Sequence, residues 1–397
     1  MNETSNPIVN DFDARLTPDE RGLVARAKDF AARVVAPQAR QWEYNRRHPT
    51  DALRLACREG LAAIELAPAL GGHGLRFSAT LRIVEELARH DFGFAFSLVN
   101  HHNAIARISR AGSATARRLV SLMLSGDMIG CSGYTEPDHG SDLAGLATSA
   151  AKVDGGWLLS GTKAWITNAA VADVIIVLTQ TNRASGSQGL ATFIVEASQA
   201  GFIREPAYAL HAAHSIGLGG FSLENCFVPD DAVLEPAGAG FAASLAGINR
   251  ARCYVAAMCA GMLDAAIEQA VGYASRRQAF GQPLIEFQGL RWRLVDADTD
   301  LAALRLLAYR AAGQIDAGQN AEEAAAHAKK FAGERTLGHI AGCIQAMGAS
   351  GLRSDHPLMR HLAAAKTAAF ADGTTEMMNE RLGKLLVRRL ANRPPGA

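Results

Sequence analysis

Apolar positions recur three and four residues apart through the first third of the chain, give way to short runs, and return to helical spacing towards the end. Leu23, Val24, Ala27, Phe30, Ala31, Val34 and Val35 form one such stripe, behind Thr17-Pro18-Asp19-Glu20. That tetrapeptide supplies an N-cap hydroxyl and first-turn acids, so the spacing predicts a helix. Gly71-Gly72-His73-Gly74 predicts a loop with a solvated histidine, and residues 75–90 are helical again by pattern. From residue 129 the runs shorten and become β-branched. Val174-Ile175-Ile176-Val177-Leu178-Thr179 and Thr192-Phe193-Ile194-Val195 read as strands. Residues 157–167 read as another, leaving the Asp154-Gly155-Gly156 turn with Trp165 and Thr167 on one face. Residues 185–189 and 211–220 are expected as surface loops. After Pro229 and Pro236, two helical stripes appear: Tyr254, Val255, Met258, Cys259, Met262, Ala266 and Ile267, then Leu294, Ala297, Leu301, Leu304 and Ala308. The pattern predicts helices over 1–128, a small β domain over 129–236 and a helical bundle over 237–397.

Composition narrows the partners. Among 397 residues, 40 Lys+Arg against 39 Asp+Glu leave a net charge of +1, which argues against nucleic acid held by bulk attraction. Apolar residues make up 49% and aromatics 6%, an Ala-rich balance suited to close-packed helices. The six cysteines lack metal or disulfide-framework spacing and read as reduced, buried thiols. His211 and His214 lack the partners a metal site needs. No apolar run approaches the ~20 residues that span a bilayer, and the first residues lack a leader's basic start and apolar core. The expectation is a cytoplasmic protein without membrane insertion.

Three segments carry candidate chemistry. Pro137 and Gly140 interrupt regular structure, freeing main-chain N–H groups beside the hydroxyls of Thr135 and Ser141. Trp165 beside Thr167 suits either a flat heterocycle or ordinary packing. Arg276 and Arg277, near Phe280 and Gly281, suit either a pyrophosphate or a solvated helix end.

Tyr134-Thr135-Glu136-Pro137 with Gly140-Ser141-Asp142, and Trp165-Ile166-Thr167-Asn168, resemble the two flavin-contacting signatures of the acyl-CoA dehydrogenase family. Their separation matches, and the likeness extends over nearly the whole chain. The resemblance implies an α+β fold with an N-terminal helical domain, a central small β-barrel domain and a C-terminal four-helix bundle. It implies FAD as cofactor, with Tyr134, Thr135 and Ser141 at the flavin ring, Thr135 and Ser141 also framing the thioester, and Trp165 and Thr167 on the ring's other side. Residues 277–281 resemble the family's arginine-phenylalanine-glycine motif, so Arg277 and Phe280 are expected to reach the dinucleotide of a neighbouring subunit in a homotetramer or dimer. Gln345 and Gly348 resemble a turn at the adenosine half, although Ala349 stands where glycine is commoner.

In the family a glutamate usually precedes Gly-Thr and removes the substrate's α-proton. Here Asp372 precedes Gly373-Thr374, with Thr374 and Glu376 carried over to the cofactor and Arg252 to the substrate. The other family position for the acid is Ala251 in this chain. Asp91 and the Asn100-His101-His102-Asn103 cluster stand as alternative bases, and an Asp-Gly turn capping the next helix is the structural alternative for Asp372. Ala371 replaces a larger aromatic. The implied activity is α,β-desaturation of an acyl-CoA or acyl-carrier-protein thioester, with electrons passed to an electron-transfer flavoprotein or similar acceptor. Two other readings remain open: a flavin oxidase resembling the nitroalkane oxidase branch, which carries aspartate at the base position, and a flavin-binding protein without turnover.

Overall fold

A computed structural model describes residues 7–391, so the leader reading of residues 1–6 lies outside the described residues. Helix α1 (Pro7–Ala14) precedes α2 (Pro18–Phe30). The start of α2 is fixed by a capping box: the Thr17 hydroxyl accepts from the Glu20 amide at 3.2 Å and the Glu20 carboxylate accepts from the Thr17 amide at 2.8 Å. The predicted stripe is buried throughout, and the helix runs through a π stretch, Ala31–Val35, into α3 (Ala36–Tyr44). Next come α4 (Thr50–Arg58), α5 (Phe77–Ala88), α6 (Phe92–Ile108) and α7 (Ala114–Leu124). The helix predicted over 75–90 is shorter at both ends, and its start is set by the Asp316 carboxylate, which caps the Phe77 and Ser78 amides at 2.7 and 3.2 Å. His73 is not simply solvated, since its Nε2 lies 3.1 Å from the Gly60 carbonyl.

Strands β1 (Gly130–Gly133), β2 (Ser149–Val153), β3 (Gly156–Ile166), β4 (Val174–Gln180), β5 (Leu190–Glu196), β6 (Phe202–Arg204), β7 (Gly219–Pro229) and β8 (Val233–Glu235) form one sheet. Its order is β6-β7-β3-β2-β4-β5-β8, with β1 parallel to β4. Strand β4 is buried along its whole length, which explains its continuous rather than alternating apolar run. The surface loop expected over 211–220 is a correction. Ala213, Ser215 and Ile216 are buried, because His214 is pinned by the Glu43 carboxylate at 2.9 Å and the Leu210 carbonyl at 3.0 Å. From Gly219 the chain is already in β7.

The chain then enters α8 (Gly240–Arg276), the short pair β9 (Gln278–Ala279) and β10 (Gln282–Pro283), and helices α9 (Gln288–Asp316), α10 (Glu322–Met347), α11 (Leu358–Phe370) and α12 (Thr375–Ala391). Helix α10 packs on α9, α11 and α12. The expectation that no segment could span a bilayer needs one qualification. Helix α8 is long and apolar enough by length and composition, but 67% of its most apolar stretch is buried, as in a bundle core. The six cysteines are buried and unpaired.

Two compact units result. The helical unit comprises the chain up to Arg40, residues 76–92 and the chain from Asn249; the sheet unit comprises Gln41–Leu75 and Gly93–Ile248. The N-terminal helices are thus divided: α5 belongs to the helical unit, α4 and α7 to the sheet unit. In the helical unit, Glu85 of α5 accepts from Arg305 at 2.7 Å and from the Tyr309 hydroxyl at 2.6 Å, while Arg82 reaches Asp13 at 2.7 Å. This network cross-links α5, α9 and α1, and each buried charge has an opposite charge beside it.

Candidate active site

The sheet unit positions the first group of candidate residues through one buried ion pair. Lys163 lies on the inward face of β3, and its ammonium donates to the Glu136 carboxylate at 2.8 Å and the Tyr134 carbonyl at 3.1 Å. Glu136 also accepts from the Ala147 and Thr148 amides at 2.6 and 2.9 Å. Burial pushes the Glu136 carboxyl up, but Lys163, Thr148 and Ala147 together hold it down to about 2. Burial draws the Lys163 ammonium down to about 8 against the pull of Glu136. The Ala164 amide donates to the Thr135 carbonyl at 3.0 Å. The two signature segments are therefore tied to each other at Thr135–Glu136 and Lys163–Ala164.

The tie leaves ligand-type groups uncommitted. The Thr135 and Ser141 hydroxyls have no protein partner among the described residues, and Ser141 is exposed. Thr167 is only 7% exposed, yet its hydroxyl makes no hydrogen bond among the described residues. Tyr134 has Arg107 over its ring at 5.6 Å. Trp165 is 58% exposed, with its ring edge-on to Tyr208 at 4.8 Å. The expectation that Trp165 and Thr167 share a face by strand alternation does not hold. Trp165 has φ 59° and the β3–β7 register shifts between Lys163 and Ile166, which breaks the pleat at that point. A bulky residue in the left-handed region is uncommon and strained.

In the helical unit, Arg277 follows α8 and is exposed; its main chain bonds Tyr273 and Leu284 at 2.9 and 2.8 Å, and its guanidinium has no partner among the described residues. Phe280 and Gly281 form the β9–β10 turn with φ 50° and 82°, and Phe280 is 96% exposed. A phenylalanine in that conformation is uncommon, and its ring lies edge-on to Phe287 at 6.1 Å. Gln345 and Gly348 are exposed at the end of α10, where Gly348 has φ 58° and ψ −145°, backbone that glycine alone adopts freely.

Asp372 and Gly373 form a tight turn between α11 and α12, with φ 53° and 98°. Two buried cations hold its main chain: Arg252 Nε donates to the Asp372 carbonyl at 3.2 Å, and Lys329 Nζ donates to the Gly373 and Ala369 carbonyls at 3.3 and 3.2 Å. Neither bonds the Asp372 side chain. Although the residue as a whole is half-buried, Asp372 Oδ2 is cut off from solvent and has no partner. Burial pushes this carboxyl up to about 6, against the opposing pull of Lys329 and Arg252. Burial and the nearby Arg381 bring Arg252 down to about 10. A Cβ at Gly373 would lie 3.1 Å from Met378 and 3.4 Å from the Arg252 guanidinium, so the turn also needs glycine for space. Thr374 caps α12 by accepting from the Met377 amide at 3.3 Å. Glu376 is exposed, its carboxyl held below the usual range by its own main chain and Thr374.

The alternative bases are otherwise engaged. His101 accepts from the Gly130 amide at 2.8 Å and lies 3.0 Å from the Met123 carbonyl, and burial takes it down to about 4. His102 spans the Ala62 carbonyl and Glu65 at 3.0 and 3.3 Å. Asp91 is 5% exposed and is itself partnered. Among the described residues no group of His, Cys, Asp or Glu could hold a metal ion.

Lys163, Glu136 and Lys329 were given no role from the sequence, though the two lysines left a trace. Lys163 falls two and four positions from Gly161 and Leu159, on the inward side of its strand. Lys329 interrupts the buried stripe Ala325, Ala332, Thr336. A lysine on an apolar face needs buried partners.

Comparison with known proteins gives consistent matches along the chain. Three family models match: acyl-CoA dehydrogenase N-terminal domain at residues 17–127, middle domain at 131–226 and C-terminal domain at 238–387. An acyl-CoA dehydrogenase of Bacillus subtilis is 31% identical over 377 residues, covering 94% of this chain and 99% of the relative. The solved butyryl-CoA dehydrogenase of Megasphaera elsdenii superposes with a TM-score of 0.90 at 28% identity, covering 94% of this chain and 99% of that one. The FAD complex of PigA superposes with a TM-score of 0.89 at 27% identity, with the same coverage.

Proposed function

Because this chain belongs to the acyl-CoA dehydrogenase family, FAD-dependent oxidoreductases acting on CH–CH donors, we propose that it desaturates an acyl thioester between the α and β carbons with Asp372 as the base. The observation that carries this reading is the Asp372 carboxyl: buried at Oδ2, without a partner, and raised to about 6. A base of that pKa is largely ionised at neutral pH yet retains more proton affinity than an ordinary carboxylate. Arg252 and Lys329 act as positioning groups. They grip the main chain of the turn and leave the carboxylate oxygens for the α-proton. Aspartate is one methylene shorter than the family's usual glutamate, and Ala371 is smaller than its usual aromatic. Both changes favour a substrate bulkier at the α-carbon than a straight chain.

The uncommitted hydroxyls of Thr135, Ser141 and Thr167, with the exposed ring of Trp165, suit the edges and face of a flavin; Arg277, Phe280 and Gln345 suit its dinucleotide end. When bound, FAD supplies the acceptor for the substrate's β-hydrogen. Anaerobic bleaching of the flavin by a panel of acyl-CoA and acyl-carrier-protein thioesters tests the reading, and absence of bleaching by every thioester would overturn it. An oxidase of the same fold is the second reading, favoured by aspartate at the base position. Turnover with oxygen alone selects it, whereas dependence on an electron-transfer flavoprotein or artificial acceptor selects the dehydrogenase.

Two substitutions probe cofactor and assembly. Trp165→Ala is expected to shift the flavin absorption band and weaken FAD retention, since aromatic contacts contribute about 0.5–1.5 kcal/mol beyond burial. An unaltered spectrum would put Trp165 outside the flavin site. Arg277→Ala is expected to lose FAD and weaken the oligomer in parallel, each charged hydrogen bond contributing about 1.5–3 kcal/mol. Flavin content and size-exclusion mass measure the two effects, and loss of only one argues against a shared inter-subunit site.

A further inference from the structure

The Trp165–Asn168 turn holds two non-glycine residues in the left-handed region, Trp165 at φ 59° and Asn168 at φ 64°. Asparagine tolerates that conformation; tryptophan needs surroundings that enforce it. Beneath the turn runs a chain of side-chain hydrogen bonds drawn from α4, α6 and the segment before α4. The Ser97 hydroxyl donates to Asn168 Oδ1 at 2.6 Å, and Asn168 Nδ2 donates back to the Ser97 carbonyl at 3.0 Å and the Gly130 carbonyl at 3.5 Å. His48 Nε2 lies 3.0 Å from the Ser97 hydroxyl, and His48 Nδ1 lies 3.0 Å from the Thr50 hydroxyl. Ser97 and Asn168 are wholly buried.

The proton inventory fixes the direction of the chain. The Ser97 hydrogen is committed to Asn168, so Ser97 accepts from His48 Nε2–H, and Nδ1 accepts from Thr50. Burial lowers His48 to about 4, so the ring is neutral at pH 7 and, with Nε2–H given to Ser97, Nδ1 is left as the acceptor for Thr50. The ring is also wedged from the far side. A Cβ on Gly217, itself at φ 63°, would lie 2.7 Å from the His48 ring, and Gly217 accepts from the Ala170 amide just past the turn at 3.3 Å.

We propose that His48 and Ser97 are positioning residues for the flavin site: through Asn168 they hold the Trp165–Asn168 turn in the conformation that presents the Trp165 ring and the unpartnered Thr167 hydroxyl. The proposal rests on the assignment of Trp165 and Thr167 to the flavin. It assigns function to two residues that act through Asn168. Their hydrogen bonds fix one peptide geometry out of several that this segment could adopt.

The test uses purified holoenzyme and reads the flavin rather than turnover. Ser97→Ala and His48→Leu are expected to release FAD on dilution at least about tenfold more readily, to shift the flavin absorption band and to lose part of the flavin quenching of tryptophan fluorescence. His48→Gln, whose amide can replace the Nε2–H donor, is expected to restore the wild-type spectrum. A wild-type spectrum and FAD retention in both Ser97→Ala and His48→Leu would overturn the proposal, whatever their melting temperatures. So would equal losses in His48→Gln and His48→Leu, which would mark packing alone. Trp165→Ala, run alongside, separates the layers. If it perturbs the flavin and the other two do not, the positioning role fails and the flavin site stands; if none perturbs it, both fail.

Discussion

Asp372→Asn is expected to keep its FAD and its ligand affinity while slowing thioester-driven flavin bleaching by at least ~100-fold, the lower end of a general-base contribution. The amide preserves the size of the side chain and leaves the grip on the turn untouched, since Arg252 and Lys329 bond main-chain carbonyls. Only the ability to accept a proton is removed. In the wild type, kcat/KM for the free enzyme is expected to rise as pH passes about 6, where the buried carboxyl ionises. That limb disappears in Asp372→Asn. Folding stability changes in the opposite sense. The folded pKa lies above the ordinary 3.8, so the stabilising contribution is full below that value and is lost as pH rises through about 6. Asp372→Asn therefore melts no lower than wild type at pH ~8, with the difference closing in acid. Wild-type bleaching rates in Asp372→Asn would remove Asp372 as the base. Asp372→Glu completes the series: activity shows that the pocket still accepts the longer acid, and impairment shows that it has adapted to the shorter one.

Much of the helical architecture was legible because helices carry their own punctuation. Thr17 offers an N-cap hydroxyl ahead of first-turn acids, and the stripe from Leu23 to Val35 fixes which face is buried. Strand β4 was legible for a different reason, since a fully buried strand reads as an unbroken apolar run. The failures fall where tertiary contacts override local pattern. Residues 213–217 look polar enough for a surface loop, yet Glu43, distant in sequence, draws His214 inward. Trp165 sits in a run that alternates like a strand, but its left-handed backbone turns the ring out of register with Thr167. No propensity encodes that geometry; it is imposed by Asn168 and the side chains beneath it.

The site was legible as a set of motifs and illegible as a set of forces. Asp372 was singled out, but its raised pKa arises from burial, which outweighs the pull of two cations that spend their hydrogen bonds on main-chain carbonyls. One of them, Lys329, stands 43 residues earlier in a helix that reads as plain alanine-rich core. The sequence places the charges but not their partners. A buried lysine is recognisable only when the face it occupies is known, and that face depends on the register of α10 against its neighbours.

Lys163→Met is expected to be among the most destabilising single substitutions in the sheet unit, at about 3–5 kcal/mol, because it strands a buried carboxylate. Methionine fills much of the lysine's volume, so the loss is electrostatic rather than a cavity. Glu136 would keep its bonds from Ala147 and Thr148 but lose the ammonium 2.8 Å away. The acid limb of stability identifies the cause. In the wild type, Glu136 is held down to about 2 from an ordinary 4.5, so it contributes stability above 4.5 that is lost as pH falls through about 2. Without Lys163 that carboxyl rises, and the acid unfolding midpoint moves to higher pH. Urea unfolding at neutral pH and an acid titration measure both effects. The double substitution Lys163→Met/Glu136→Gln recovers part of the loss, since no buried charge is left unpaired. Because the pair ties Thr135 to the strand that carries Trp165, holoenzyme of Lys163→Met is also expected to shed FAD on dilution, and the double variant to retain more of it. A loss below ~1 kcal/mol, with an unmoved acid midpoint, would mean that water or another cation already serves Glu136 and that the pair does not hold the two segments together.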